Sequence, residues 1–267
     1  MDCSQLFSLK GRVAMVTGGS RGIGRMIAEG FLAAGCERVY VTARKAATVE
    51  ATAAELGSRC VALTGDISTL AGVSVLADDI AGRESRLDIL VNNAGAAWGA
   101  PFASFPESGW DKVMDLNVKT PFFLTQKLHP LLKAAATEAR PAKVINIASI
   151  DGVRINPWET YSYQASKAAL IQLTRRMAAR LIHDRIVVSA IAPGAFPSEM
   201  NKGARDHADR IGPRIPAGRV GAAADIAGGA IYLASSAGDY VVGTTLAIDG
   251  GLVNADLPAD FLSPLGE

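Results

Sequence analysis

Seven short runs of apolar, largely β-branched residues recur along this chain, and each gap between them is long enough for a helix or a long loop. The runs are Val13–Val16, Val39–Thr42, Cys60–Leu63, Leu87–Val91, Lys143–Ile147, Ile186–Ile191 and Thr245–Ile248. Strands apolar on both faces belong inside a parallel sheet covered by helices on each side. Helical spacing fills the gaps, as in Met26, Ile27, Phe31 and Leu32 after the first run, and again around residues 46–57. The expected fold class is therefore α/β, a doubly wound seven-stranded parallel sheet with helices on both faces.

No Pro/Gly/Ser linker and no internal repeat divides the 267 residues, so residues 1–267 are read as one domain. The least regular stretch, Pro193–Pro216, is rich in glycine, proline and charge. In such a fold a loop near residues 195–218 is expected to cover the substrate. Residues beyond Leu252, including Pro258 and Pro264, read as a C-terminal arm.

Composition narrows the partners. Lys and Arg number 27 against 26 Asp and Glu, so no excess of positive charge favours nucleic acid or an anionic membrane. No run of eighteen apolar residues is free of charge, so no membrane span is expected. Cys3, Cys36 and Cys60 are too scattered for a disulfide framework, and no basic region precedes an apolar stretch at the N-terminus. Both features point to the cytoplasm. His129, His183 and His207 lack ligand spacing, and no metal is expected.

The first run leads into Thr17-Gly18-Gly19-Ser20-Arg21-Gly22-Ile23-Gly24. Between a strand and a helix, glycines 18, 22 and 24 let backbone N–H groups approach a pyrophosphate, while the helix N-terminus adds its dipole. This is the dinucleotide turn of a Rossmann fold. An acid at the end of the second strand would bind the ribose hydroxyls of NAD. This chain instead has Thr42-Ala43-Arg44-Lys45 there, and Arg21 adds a second guanidinium. Paired guanidinium donors suit a 2′-phosphate, so NADP(H) is the expected cofactor.

Tyr163-Gln164-Ala165-Ser166-Lys167 sets a phenol and an ammonium one helical turn apart. A nearby cation is expected to lower the tyrosine pKa toward the working range, for proton exchange with a carbonyl or alcohol oxygen. Tyr161 has Ala165 as its fourth successor and is set aside. Ser149, just past the fifth run, lies at the carboxyl end of the sheet, where its hydroxyl could hold a substrate oxygen. Asn117 falls in an expected helix, where asparagine is a mediocre choice, and it reads either as a functional residue or as one bonded to backbone.

Taken in this order, the elements resemble the short-chain dehydrogenase/reductase family over nearly the whole chain. The resemblance implies a catalytic set of Asn117, Ser149, Tyr163 and Lys167. It also implies cofactor contacts at Gly18, Ser20, Arg21, Gly22, Ile23, Gly24, Arg44, Asp66, Ile67, Asn93, Ala94, Gly95, Tyr163, Lys167, Pro193, Gly194, Phe196 and Ser198. Hydride would pass between the nicotinamide and a substrate carbon, with Tyr163 protonating the alkoxide and Ser149 polarising the carbonyl. Lys167 would hold the nicotinamide ribose, and Asn117 would anchor a water supplying protons. Where many members carry a threonine in the loop after Pro193-Gly194, this chain has Ser198 behind Pro197.

The segments around Trp110, Arg140–Lys143 and Phe196–Met200 resemble β-ketoacyl reductases associated with rhamnolipid synthesis, which implies a 3-oxoacyl or similar hydrophobic ketone. Ala96, Ala97, Trp98, Asp151–Trp158, Phe196 and Met200 are the pocket candidates. The alternatives are an NAD(P)-linked dehydrogenase of a sugar, steroid or small alcohol, and a non-catalytic NADP-binding sensor. The family also implies a homotetramer formed through helices near residues 102–135 and 161–182.

Overall fold

A computed structural model describes residues 2–257. Its sheet has the order β3-β2-β1-β4-β5-β6-β7, every pairing parallel. The strands are β1 (Val13–Val16), β2 (Arg38–Ala43), β3 (Cys60–Thr64), β4 (Ile89–Asn92), β5 (Ala142–Ile147), β6 (Ile186–Pro193) and β7 (Thr245–Ile248). All seven apolar runs are strands, with ends displaced by up to two residues.

The helices are α1 (Cys3–Leu6), α2 (Gly22–Ala33), α3 (Ala46–Leu56), α4 (Leu70–Arg83), α5 (Glu107–Met114), α6 (Thr120–Ala135), α7 (Tyr161–Leu181), α8 (Lys202–Asp206), α9 (Ala208–Ile211) and α10 (Ala223–Ala234). Alternate strand residues face opposite layers. Ala14, Val16, Val39 and Val41 pack with Ile27 and Phe31 of α2, Val49 of α3 and Ile226 of α10. Val13, Met15 and Val144 pack on the other face with Leu76 and Ile80 of α4 and Leu124 and Leu128 of α6. The sheet is thereby sandwiched between helices, as the unbroken apolar runs require.

Two local features depart from the sequence reading. Asp115–Lys119 winds as a π-helix between α5 and α6, so Asn117 lies in a widened turn rather than an ordinary helix. The stretch Pro193–Pro216, read as irregular, holds α8 and α9 and buries Phe196, Ala204 and Ile215. Asn201 caps α8 by accepting from the Ala204 amide at 3.0 Å. Of the expected C-terminal arm, Pro258 and Pro264 lie outside the described residues. No helix among the described residues is long and apolar enough to cross a membrane.

Candidate active site

The glycine turn is held where β1 ends by three side chains, two that bind its backbone and one, Thr17, that ties it to the segment after β4. Thr17, almost fully buried, accepts from the amides of Asn93 at 2.9 Å and Ala94 at 3.0 Å. The Asn93 amide donates to Thr17 O at 2.8 Å and Gly18 O at 3.2 Å. Thr42 accepts from Gly18 N at 3.4 Å. Asn93 thus shapes the turn directly. Gly22 has φ +53°, and a Cβ on Gly24 would lie 2.4 Å from the Asn93 amide nitrogen, so neither position tolerates a side chain.

Arg21 occupies the N-cap of α2 without a capping bond, and Arg44 follows β2. Both are exposed, as is Lys45, and among the described residues none has an acidic partner within ion-pair distance. A positive-φ cradle with free cations at its adenosine side fits a phosphorylated dinucleotide. Asp66, exposed, accepts from Ser68 N at 3.0 Å, and Arg44 is near enough to help hold its carboxyl below the usual range.

Two cofactor-contact expectations need refinement. The Ile67 side chain is buried in the core and its carbonyl accepts from Thr120 at 2.6 Å, so this side chain serves packing. The Phe196 ring is also buried, stacked where a Cβ on Gly221 would meet it at 2.4 Å, and cannot close over a substrate as expected. Ser198 does reach the glycine turn: a Cβ on Gly22 would lie 3.1 Å from Ser198 Cβ. Its hydroxyl accepts from Asn201 N at 3.0 Å. Gly194 ends β6 by donating to Ile248 O at 2.9 Å.

At the middle of the sheet's carboxyl edge lie the four expected catalytic residues. Asn117, 1% exposed, accepts from Ala96 N at 2.8 Å and donates to Ala96 O and Ser166 Oγ, each at 2.9 Å. Ser166 in turn donates to Tyr163 O at 2.7 Å. A Cβ on Gly95 would sit 3.2 Å from Asn117 Oδ1 and 3.8 Å from Lys167 Nζ, so Gly95 marks where the two side chains converge. Asn117 therefore bonds backbone and also borders the lysine, which joins both sequence readings.

Lys167 donates to Ile147 O at 2.8 Å, and its ammonium is 5.6 Å from the centre of the Tyr163 ring. Burial lowers its pKa to about 8, with the charge of Asp151 acting in the opposite direction. Burial pushes Tyr163 up to about 12, opposed by a hydrogen bond with Ser149 and reinforced by Asp151. The expected acidification of the phenol by the ammonium is thus corrected: desolvation dominates, and the ammonium points at a carbonyl. Ser149 Oγ accepts from Asp151 N at 3.1 Å, which leaves its own proton available to donate.

The pocket candidates divide. Trp98 packs on α5, where a Cβ on Gly109 would lie 2.7 Å from its ring and Lys112 sits 5.3 Å from its centroid. Ile155 and Trp158, strongly exposed, line an open groove of about 800 Å³ with Phe102, Phe105 and Trp110. That groove includes Tyr161 and Gln164 but neither Tyr163 nor Ser149. Tyr161 donates to Glu159 at 2.9 Å and packs edge-on with Phe102 and Phe105, consistent with setting it aside.

Sequence reasoning gave no separate role to the Thr17 hydroxyl or to Ser166, and it did not find the partners of Asn92 in a buried ladder under the site. Asn92 donates to Asn146 at 2.9 Å and Thr125 at 3.2 Å, and Asn146 donates to Thr174 at 2.9 Å. The ladder ties β4, β5, α6 and α7 together, and the only hint of it was asparagine inside apolar strands. Among the described residues, no group of three or more His, Cys, Asp or Glu side chains could hold a metal.

A parallel 3-2-1-4-5-6-7 sheet with a glycine turn after β1 and a tyrosine–lysine helix after β5 defines a dinucleotide-dependent oxidoreductase architecture. A family described as "Enoyl-(Acyl carrier protein) reductase" matches residues 18–253. The chain belongs to the short-chain dehydrogenase/reductase family. It is 47% identical over 250 residues to the rhamnolipids biosynthesis 3-oxoacyl-[acyl-carrier-protein] reductase of Pseudomonas aeruginosa, covering 92% of this chain and 97% of that one. It is 40% identical over 253 residues to the 2-dehydro-3-deoxy-D-gluconate 5-dehydrogenase of Escherichia coli, covering 92% and 96%. The solved Pseudomonas aeruginosa RhlG/NADP active-site complex superposes with TM-score 0.89 at 46% identity, covering 93% of this chain and 99% of that one.

Proposed function

We propose that this chain is an NADP(H)-dependent reductase of 3-oxoacyl thioesters or similar hydrophobic ketones. The observation that carries the reading is the convergence of Asn117 and Lys167 at Gly95, one helical turn from Tyr163 and opposite Ser149. Arg21, Arg44 and Lys45 would hold the 2′-phosphate, the turn Gly18–Gly24 the pyrophosphate, Asp66 the adenine, and Lys167 the nicotinamide ribose. The backbone at Ile67, Ala94, Gly95, Pro193, Gly194 and Phe196, with Ser198, would line the remainder. Bound there, the nicotinamide supplies a hydride to the carbonyl carbon.

The chain's own groups do the rest. Ser149 donates to the carbonyl oxygen while its lone pair is taken by Asp151 N, which fixes the direction of the hydroxyl. Tyr163, protonated up to about 12, delivers its proton to that oxygen as the alkoxide forms. The Lys167 charge stabilises the phenolate left behind, and Asn117 and Ser166 fix the helix carrying both. Residues 195–218 act as the substrate loop, and a C-terminal arm starts at about residue 252. A homotetramer in the cytoplasm, built on α5, α6 and α7, completes the proposal, and the free cysteines Cys3, Cys36 and Cys60 suit a reducing compartment.

A sugar-acid dehydrogenase is the second reading, favoured by the 40% identity to the gluconate-type enzyme. The test is turnover of 3-oxoacyl thioesters, β-keto esters and keto-sugar acids with NADPH and NADH, for wild type and Tyr163→Phe. Tyrosine-dependent, NADPH-preferring reduction of the thioester is expected. Dinucleotide binding without tyrosine-dependent turnover would return the chain to the sensor class.

A further inference from the structure

Ser149 is followed at once by a tight 3₁₀ turn, Ile150–Gly152, which carries the acid Asp151. The amide of Asp151 donates to Ser149 Oγ at 3.1 Å. A Cβ on Gly152 would lie 2.6 Å from the Lys167 carbonyl carbon and 2.7 Å from Ala168 N, so the turn is pressed onto α7 beside Lys167. Asp151 is half-buried between these contacts, and its charge raises the pKa of both the Tyr163 hydroxyl and the Lys167 ammonium.

The charges facing Asp151 are Arg154 from its own loop and Lys167 from α7, with the Tyr163 phenol beside them. Both cations are engaged elsewhere. Arg154 donates to the Leu252 carbonyl and pairs with Asp256 at 2.8 Å. Lys167 donates to Ile147 O at 2.8 Å. Neither lies within ion-pair distance of Asp151, whose carboxyl is pushed up by burial against the opposing pull of Asn156, Arg154 and Lys167. Once ionised, its negative charge is therefore not cancelled at close range, and a half-buried carboxylate repels a second anion placed beside it.

We propose that Asp151 determines specificity by rejecting substrates with an anionic group next to the reacting carbonyl. The pocket then takes neutral 3-oxo esters and thioesters in preference to free 3-oxo acids. This rests on the carbonyl-reductase reading above. It also favours one of its two branches, because a sugar acid is an anion at neutral pH whereas a 3-oxoacyl thioester is uncharged around its ketone.

The test uses a matched pair, ethyl acetoacetate and acetoacetate, which share the same ketone and differ in charge beside it. Reduction by NADPH is measured as kcat/KM for wild type, Asp151→Asn and Asp151→Glu. The ester is expected to be preferred by wild type and by Asp151→Glu. Asp151→Asn keeps the backbone amide that Ser149 accepts and should narrow the ester-to-anion ratio by about tenfold, through a gain on the anion. A merely structural role would move both substrates together and leave that ratio alone. An unchanged ratio in Asp151→Asn overturns the proposal while leaving the reductase reading in place. A wild type inert on every ketone, yet able to bind NADPH, overturns the reading and this inference with it. Should Asp151→Asn not fold, Asp151→Ser carries the same expectation.

Discussion

Two lysines are buried at opposite ends of the sheet, and their surroundings differ in one respect. Lys143, 1% exposed, opens β5 at the amino edge, where Asp239 lies 2.7 Å from its ammonium. Around it are Arg12 and a buried Asp88 that accepts from Val13 N at 2.9 Å and pairs with Arg140 at 3.1 Å. Lys167, 4% exposed, stands at the carboxyl edge with a carbonyl as its partner. Burial lowers both pKa values, but the counterion restrains the fall for Lys143, whereas Lys167 drops to about 8. A buried charge by itself does not mark a site. A buried charge without a counterion at ion-pair distance, at the ligand-binding edge of the sheet, is far more specific.

Exchanging each lysine for methionine should sharpen the contrast most. Lys167→Met is expected to lower kcat/KM for ketone reduction by about 10³-fold, in the range of a lost acid–base system, without lowering the urea midpoint. Lys143→Met should leave the specific activity of folded protein unchanged but remove about 2 kcal/mol of stability, because Asp239 loses its partner. Similar effects of both changes on activity and on unfolding would break the comparison.

The exposed nucleotide end offers a second contrast. Ala43→Asp combined with Arg44→Ile should weaken NADPH binding by about 10- to 100-fold, the worth of one or two charge-assisted hydrogen bonds, and spare NADH. Isothermal titration with both dinucleotides checks it. Next in size is the pH profile. Below about pH 8 Lys167 carries its charge, and kcat/KM for reduction should be level; above that it should fall as the charge is lost. Tyr163, held up to about 12, adds no limb in that range. Lys167→Arg should move the fall to higher pH. The smallest effect belongs to Ser166→Ala, about fivefold in kcat with KM unchanged and restored by Ser166→Thr, since one neutral hydrogen bond to Asn117 is lost.

How far the site was legible depended on whether a residue acts through local geometry. The glycine turn, Arg21 and Arg44, and the Tyr163–Lys167 spacing each follow from a few neighbouring residues; the structure sets Arg21 at the start of α2 and both Tyr163 and Lys167 on α7. Ser149 was legible because a strand points to its own carboxyl end. Phe196 was misjudged since an aromatic residue in a loop reads alike whether it closes over a ligand or fills the core, and only Gly221 across the fold decides. The roles of Thr17, Ser166 and the Asn92–Asn146–Thr174 ladder were missed because their partners lie tens of residues away.

The chain's order of apolar runs, glycine turn and helix-spaced phenol and ammonium determined the sheet, the cofactor end and the chemistry on their own, because periodicity and turn geometry are local. Tertiary structure decided which charges are compensated. It turned Lys167 toward a carbonyl, gave Lys143 a carboxylate, wound a π-turn at Asn117 and set Asp151 beside Tyr163. Desolvation and charge pairing depend on what packs against a group from distant parts of the chain, and no spacing along the sequence encodes that directly.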